Sequence, residues 1–152
     1  MCGETAVDVS SMNRDELKKI LPHREPMLLI DEAELIEENL AVGKYTVKGN
    51  EWFLQGHFPG MPIVPGVMQC EMMAQTCCVL LADKVKGCIP LLGGLDKVRF
   101  KNQVRPGDTI EFHCSITRSR PPFYFAKGKG TVNGKTAVSA ELSFALMPKE
   151  KG

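Results

Sequence analysis

Residues 55–81 read QGHFPGMPIVPGVMQCEMMAQTCCVLL, and the fold is decided here. Within this stretch, Gly66–Ala82 carries only four polar side chains, Gln69, Glu71, Gln75 and Thr76. It shows no two-residue alternation and is too long for an ordinary strand, so it reads as a helix. Continued to Lys84, that helix would be roughly 25–28 Å long. Apolar residues surround nearly its whole circumference, and such a helix must be buried on most sides. A sheet wrapped around the helix meets this demand, and a helix lying on one surface does not.

The rest of the chain can supply the sheet. Asn13 with Glu16 three residues on gives a capping-box pattern for a short helix, with an apolar face of Leu17, Ile20 and Leu21 that Pro22 ends. Met27–Glu38 reads as one strand and Ala41–Lys48 as a second, joined near Asn39. Trp52, Phe53 and Leu54 read as a short apolar plug. Val98 and Phe100 alternate with Lys97, Arg99 and Lys101; Ile110, Phe112, Cys114 and Ile116 alternate with polar neighbours. Phe123–Val132 and Thr136–Met147 form a hairpin across Asn133-Gly134, a type I′ turn signal. The expectation is α+β: an antiparallel sheet of about six strands around one long central helix. It forms a single domain over residues 11–148, between a loose tail at 1–10 and a solvated end at 149–152. A sheet of this size exposes edges that need covering, so a dimer is expected.

Composition narrows the classes. Net charge is +1 with hydrophobic content of 43%, which is ordinary for a globular domain and gives no reason to expect nucleic acid as a partner. The six cysteines form no C-x-x-C pair, and three lie in the apolar segment, where cysteine behaves as a small hydrophobe. Neither a zinc site nor a disulfide framework is expected, and a reducing cytoplasm fits. No apolar run reaches the ~18 residues of a membrane span, and residues 1–16 contain no apolar core of a secretory leader.

Two residues stand out chemically. His57 lies between Gly56 and Phe58-Pro59-Gly60, and a rigid loop is where chemistry concentrates. Glu71 is surrounded by Val67, Met68, Cys70, Met72, Met73 and Ala74, and desolvation would favour its neutral form, as a general acid near neutral pH requires. Gln75, one turn later, can hold it. Gly66 opens the helix, where unpaired N–H groups and the positive dipole end could receive a developing enolate oxygen. Each has a plainer reading: a structural histidine, a helix acid favoured by the dipole, a glycine chosen for backbone freedom. For Gly66 alone the plainer reading would win. His23 reads as structural or at a subunit contact, and His113 as solvated. The segment 130–136 is one residue short of a phosphate loop and lies on a hairpin.

Three blocks, LPHREPMLLID (21–31), FLQGHFPGMPIVPGVMQCEMMAQ (53–75) and LDKVRFKNQVRPGD (95–108), resemble the signature blocks of the FabZ-type 3-hydroxyacyl-[acyl-carrier-protein] dehydratases. The resemblance covers most of residues 21–147. It implies the hot-dog fold, a dimer with active sites at its interface, and usually three dimers to a hexamer. It further implies that His57 and Glu71 are catalytic and come from opposite subunits. The related dehydratase/isomerase class carries Asp where this chain has Glu71, which argues against isomerase activity. Where some members place a tunnel-gating Tyr, this chain has Pro90-Leu91-Leu92.

The expected reaction is loss of water from a (3R)-3-hydroxyacyl thioester to give the trans-2-enoyl thioester, a step of fatty acid biosynthesis. His57 would take the C2 proton, Glu71 would protonate the departing hydroxyl, and Gly66 N–H would stabilise the thioester oxygen. Phe58 and the helix methionines would line an acyl tunnel. No metal or organic cofactor is expected. The resemblance implies an acidic acyl carrier protein as partner, for which Lys97, Arg99, Lys101, Arg118 and Arg120 are candidate contacts; a solvated outer sheet face explains them equally well. Two rivals remain. A hot-dog thioesterase would release free thiol, and a non-catalytic acyl-thioester-binding module would be expected to lack His57 or Glu71.

Overall fold

Asn13 caps a first helical turn. Its side chain accepts from Glu16 N–H at 3.0 Å while the Glu16 carboxylate accepts from Asn13 N–H at 3.3 Å, the reciprocal pair read from sequence. The computed structural model describes residues 11–149; the tail assigned to residues 1–10 lies outside them. The cap joins β1 (Met12–Asn13) to α1 (Arg14–Leu17). Arg14 then donates to Leu28 O, Ile30 O, Asp31 and Glu25, at 2.8 to 3.2 Å. Lys18 pairs with Glu25 at 2.9 Å. Hydrogen bonds from Lys18, from the backbone and from Arg14 hold the Glu25 carboxyl down at about 2. The loop carrying His23 is thereby stapled to α1.

The expected first long strand is shorter than its sequence suggested. β2 spans Glu32–Glu37, and residues 27–30 are outside the ladder. Side chains take the backbone groups a ladder would use. Gln75 accepts from Leu29 N–H at 2.9 Å and donates to Met27 O at 2.8 Å, while Arg14 occupies the Leu28 and Ile30 carbonyls.

From there the chain builds the sheet: β3 (Leu40–Thr46), β4 (Cys88–Phe100), β5 (Thr109–Arg120), β6 (Phe123–Val132) and β7 (Lys135–Pro148). Strand order is β1-β2-β3-β5-β6-β7-β4, with every pairing antiparallel. Asn133 and Gly134, at φ 50° and 79°, make the expected hairpin turn. Seven strands replace the expected six because β1 forms. β4 also begins at Cys88, ten residues before Val98. Its Pro90, Gly93 and Gly94 hide it from a periodicity reading, and it follows β7 only through register shifts at Leu92/Gly94 and Asp96/Arg99. Among the described residues β4 pairs with β7 alone, so its other side is a sheet edge bearing the exposed Ile89, Leu91, Leu92 and Leu95.

The helix expected at the centre is α2 (Gly66–Val79), packed against β3, β5, β6 and β7. Gln69, Cys70, Met72, Met73 and Gln75–Val79 are buried along it. It is shorter than expected: Leu80 and Leu81 N–H turn back to Cys77 O and Cys78 O, Leu81 leaves the helical region at φ −118°, and a separate turn, α3 (Ala82–Val85), follows. The sheet reaches the helix backbone closely at two glycines. A Cβ on Gly43 would strike the Thr76 side chain, and one on Gly128 would lie 2.6 Å from Met73 Sδ. Of the expected apolar plug, Phe53 and Leu54 are buried but Trp52 is 51% exposed. Cys70, Cys77, Cys78 and Cys114 are buried free thiols; no disulfide framework was expected from sequence, yet Cys88 is disulfide-bonded. Among the described residues no helix is long and apolar enough to cross a membrane.

Two stability measurements test this packing. Gly43→Ala should destabilise by about 1–3 kcal/mol, because the added methyl drives β3 off the helix at Thr76. A urea midpoint equal to that of the parent chain would contradict the close approach. Gln75→Met should cost about 1–3 kcal/mol per group for leaving Leu29 N–H and Met27 O unpaired, read as a lowered thermal midpoint.

Candidate active site

His57 is fixed by its own loop. Phe58 and Met61 exchange backbone hydrogen bonds at 3.0 and 2.9 Å, closing a turn with Pro59 and with Gly60 at φ +75°. Proline second and a left-handed glycine third are what a type II turn demands. Ile63 N–H returns to His57 O at 2.8 Å, and His57 Nδ1 lies 2.8 Å from Ile63 O. A carbonyl can only accept, so Nδ1 carries the hydrogen and a neutral ring keeps its lone pair on Nε2. The Phe58 ring stacks on the imidazole at 4.1 Å.

The imidazole faces an open cleft of about 490 Å³ formed with Ile63–Val67, Gln69 and Phe100–Gln103. Gly66 and Val67 begin α2 here, and the first N–H groups of a helix have no acceptor within it. Gly66 is needed for another reason that sequence did not show. The Phe100 ring lies where its Cβ would be, 2.6 Å from the built position. Phe100 is 54% exposed. Gln69 was passed over in the sequence reading as one more polar residue of the helix. It is buried, donates to Val64 O at 3.2 Å, and leaves its Oε1 without a partner on the cleft wall.

Glu71 does not share this cleft within one chain. It lines a second, smaller cavity of about 30 Å³ with His23, Ala74, Gln75, Cys78, Pro90, Leu92 and Phe144. Gln75 donates to Glu71 Oε2 at 2.9 Å, as the one-turn spacing predicts. His23 Nε2 lies 3.5 Å from the same oxygen. Burial pushes the Glu71 pKa up, but the hydrogen bonds from His23 and Gln75 and the charge of His23 outweigh it, and the carboxyl is held below its ordinary 4.5. The expectation of a neutral Glu71 from its apolar neighbours is thus corrected for the single chain. The neighbours in sequence are apolar, but the neighbours in space are two polar donors. His23 was read as structural or at a subunit contact; its position in the loop after α1 gave no sign that it would face α2.

The basic residues proposed for a carrier protein are not one patch. Lys97 sits in the register shift of β4 at φ 52° and pairs with Glu141 at 3.5 Å, which interrupts the alternation that was to align it with Arg99 and Lys101. Lys101 alone of them lines the His57 cleft. Arg118 lies over the Phe125 ring, and Arg120 pairs in register with Phe123. Through β6 and β7 these two positions align with Gly94 and Leu91, whereas Arg99 aligns with Ser139. His113 is solvated as expected, beside Glu111 at 3.3 Å.

Comparison with known proteins places the chain. A family model described as a FabA-like domain matches residues 21–141. A 3-hydroxyacyl-[acyl-carrier-protein] dehydratase FabZ from Clostridium beijerinckii is 46% identical over 140 residues, covering 89% of this chain and 99% of the relative. Another FabZ, from Staphylococcus epidermidis, is 45% identical over 135 residues, covering 87% and 93%. Among solved structures, the dehydratase heterocomplex ApeI:P from Xenorhabdus doucetiae superposes with a TM-score of 0.76 at 22% identity, covering 88% of this chain and 91% of that one. A hypothetical thioesterase with coenzyme A from Streptococcus pneumoniae gives 0.59 at 9% identity, covering 78% and 87%. At those identities the structures speak for the hot-dog fold alone. The HFPG turn, the buried helix with its one acid, and this extent of sequence identity together make the chain a member of the FabA-like family, and within it of the FabZ-type 3-hydroxyacyl-[acyl-carrier-protein] dehydratases.

Proposed function

We propose that the chain dehydrates (3R)-3-hydroxyacyl-[acyl-carrier-protein] to trans-2-enoyl-[acyl-carrier-protein] in fatty acid biosynthesis, as a cytoplasmic hydro-lyase with a His/Glu site. The observation that carries the His57 role is the Nδ1–H bond to Ile63 O, which leaves Nε2 of the neutral ring as a base beside the N-terminus of α2. The thioester carbonyl acidifies the C2 proton. Nε2 removes it as negative charge gathers on the carbonyl oxygen, and the Gly66 N–H and the helix dipole stabilise that charge. The C3–O bond then breaks, and a proton from the Glu71 carboxyl leaves with the hydroxyl as water. Balance is kept with one proton gained by His57 and one given up at Glu71.

Within one chain the two residues line different cavities. We therefore assign His57 and Glu71 of each site to opposite subunits of a homodimer, with three dimers to a hexamer. The bare edge of β4, with its exposed Ile89, Leu91, Leu92 and Leu95, supports pairing between subunits. Phe58 and Met61, half exposed beside His57, would meet the acyl chain. Lys101 at the cleft is the carrier-protein contact we favour among the basic residues.

His57→Ala and Glu71→Gln should each lower turnover by about 10²–10⁴-fold, the usual contribution of one general acid or base. Enoyl absorbance formed from hydroxyacyl carrier protein is the readout, with circular dichroism and the oligomeric state unchanged. Near-parental turnover in either variant contradicts the role of that residue. Release of free thiol at the rate of substrate loss, followed with a thiol-trapping dye, would establish the thioesterase instead.

A further inference from the structure

A carboxyl held below its ordinary pKa is seldom protonated near neutral pH, yet the proposed elimination needs a proton at Glu71. The structure supplies a second holder for it. His23 Nε2 stands 3.5 Å from Glu71 Oε2, while its Nδ1 is buried with no partner. The groups facing the pair are few. From α2 come Gln75 and the Cys78 thiol, which burial pushes well above its ordinary value; from β4 come Pro90 and Leu92, and from β7 comes Phe144. The neighbouring Arg24 is committed to Leu21 O, His23 O and Lys18 O. Among the described residues no other charge lines this cavity.

We infer that His23 and Glu71 share the proton delivered to the departing hydroxyl, with His23 as the positioning and proton-holding partner of Glu71. This rests on the dehydratase reading above. The pair has two forms with the same number of protons: imidazolium beside carboxylate, and imidazole beside carboxylic acid. The hydrogen bond from Gln75 favours the first. Against it stands desolvation, because the cavity walls of Cys78, Pro90, Leu92 and Phe144 favour the uncharged pair over the charged one. The opposing effects keep the proton transferable. In the elimination it passes from the carboxylic-acid form of Glu71 to the leaving hydroxyl. Neutral His23 and the Glu71 carboxylate remain, and His57 holds the proton taken from C2. The pair then regains one proton from solvent as His57 loses one.

His23→Gln separates holding from placing, since the amide can still donate a hydrogen bond to Glu71 but takes up no proton. The full chain, assayed for hydroxyacyl carrier protein dehydration from about pH 5 to 9, should lose turnover by about 10²-fold or more at the alkaline end. The alkaline limb of its kcat profile should move down by about one pH unit or more, and the loss should shrink steadily towards pH 5, as protonation of Glu71 from solvent becomes easier. KM should change little. A kcat loss equal at every pH, or an unmoved alkaline limb, overturns the assignment. Glu71→Gln, run alongside, separates the two readings. If it is inactive while His23→Gln follows the parental profile, only the role of His23 falls; if it turns over normally, the Glu71 assignment falls as well. Should His23→Gln not fold, His23→Asn takes its place in the same pH series, and the same outcomes decide.

Discussion

Gln75 is 1% exposed on a helix of methionine, cysteine and valine, and every polar atom of its amide is used. The oxygen accepts from Leu29 N–H; the nitrogen donates to Met27 O and to Glu71. A buried amide left unpaired would destabilise the fold, so its partners are constrained together. One side chain therefore sets where the 27–30 segment crosses α2 and how the Glu71 carboxylate is turned. Because residues 27–30 are held by side chains, they leave the sheet, and the loop before them brings His23 over the helix. The chemical character of Glu71 follows from this anchorage more than from the apolar residues beside it in sequence.

The first two turns of α2 do different electrostatic work. At its start, the first N–H groups, the His57 ring and the bare Gln69 Oε1 border one open cleft. Five residues on, roughly 7.5 Å along the axis, Glu71 faces a small cavity with apolar walls, near the unpaired edge of β4. Gly43 and Gly128 let β3 and β6 approach the rod at Thr76 and Met73, neither of which lines the Glu71 cavity.

The β4 strand shows how a local irregularity serves an edge. Its two register shifts bend it against β7, and Lys97 takes a left-handed backbone at the second. Beyond that bulge Phe100 is carried over the first residue of α2, where only glycine leaves it room. The strand thus joins the sheet edge to the cleft, and Lys101 follows directly into the cleft wall.

Residue order alone was enough for the buried helix, the Asn13 cap, the Asn133-Gly134 hairpin and the alternating β5, β6 and β7. Each of these depends on short-range periodicity or turn chemistry, which one segment contains entire. His57 was legible for the same reason, since glycines and prolines fix its loop locally. The tertiary structure decided the rest. It ended α2 at Val79, extended β4 through a stretch with no alternation, and removed residues 27–30 from the sheet in favour of Gln75 and Arg14. It also placed His23 beside Glu71, 48 positions apart in the chain by subtraction of their numbers. The charge state of a carboxyl answers to the donors within a few ångströms of it, and those arrive from distant segments that no reading of its sequence neighbours can supply.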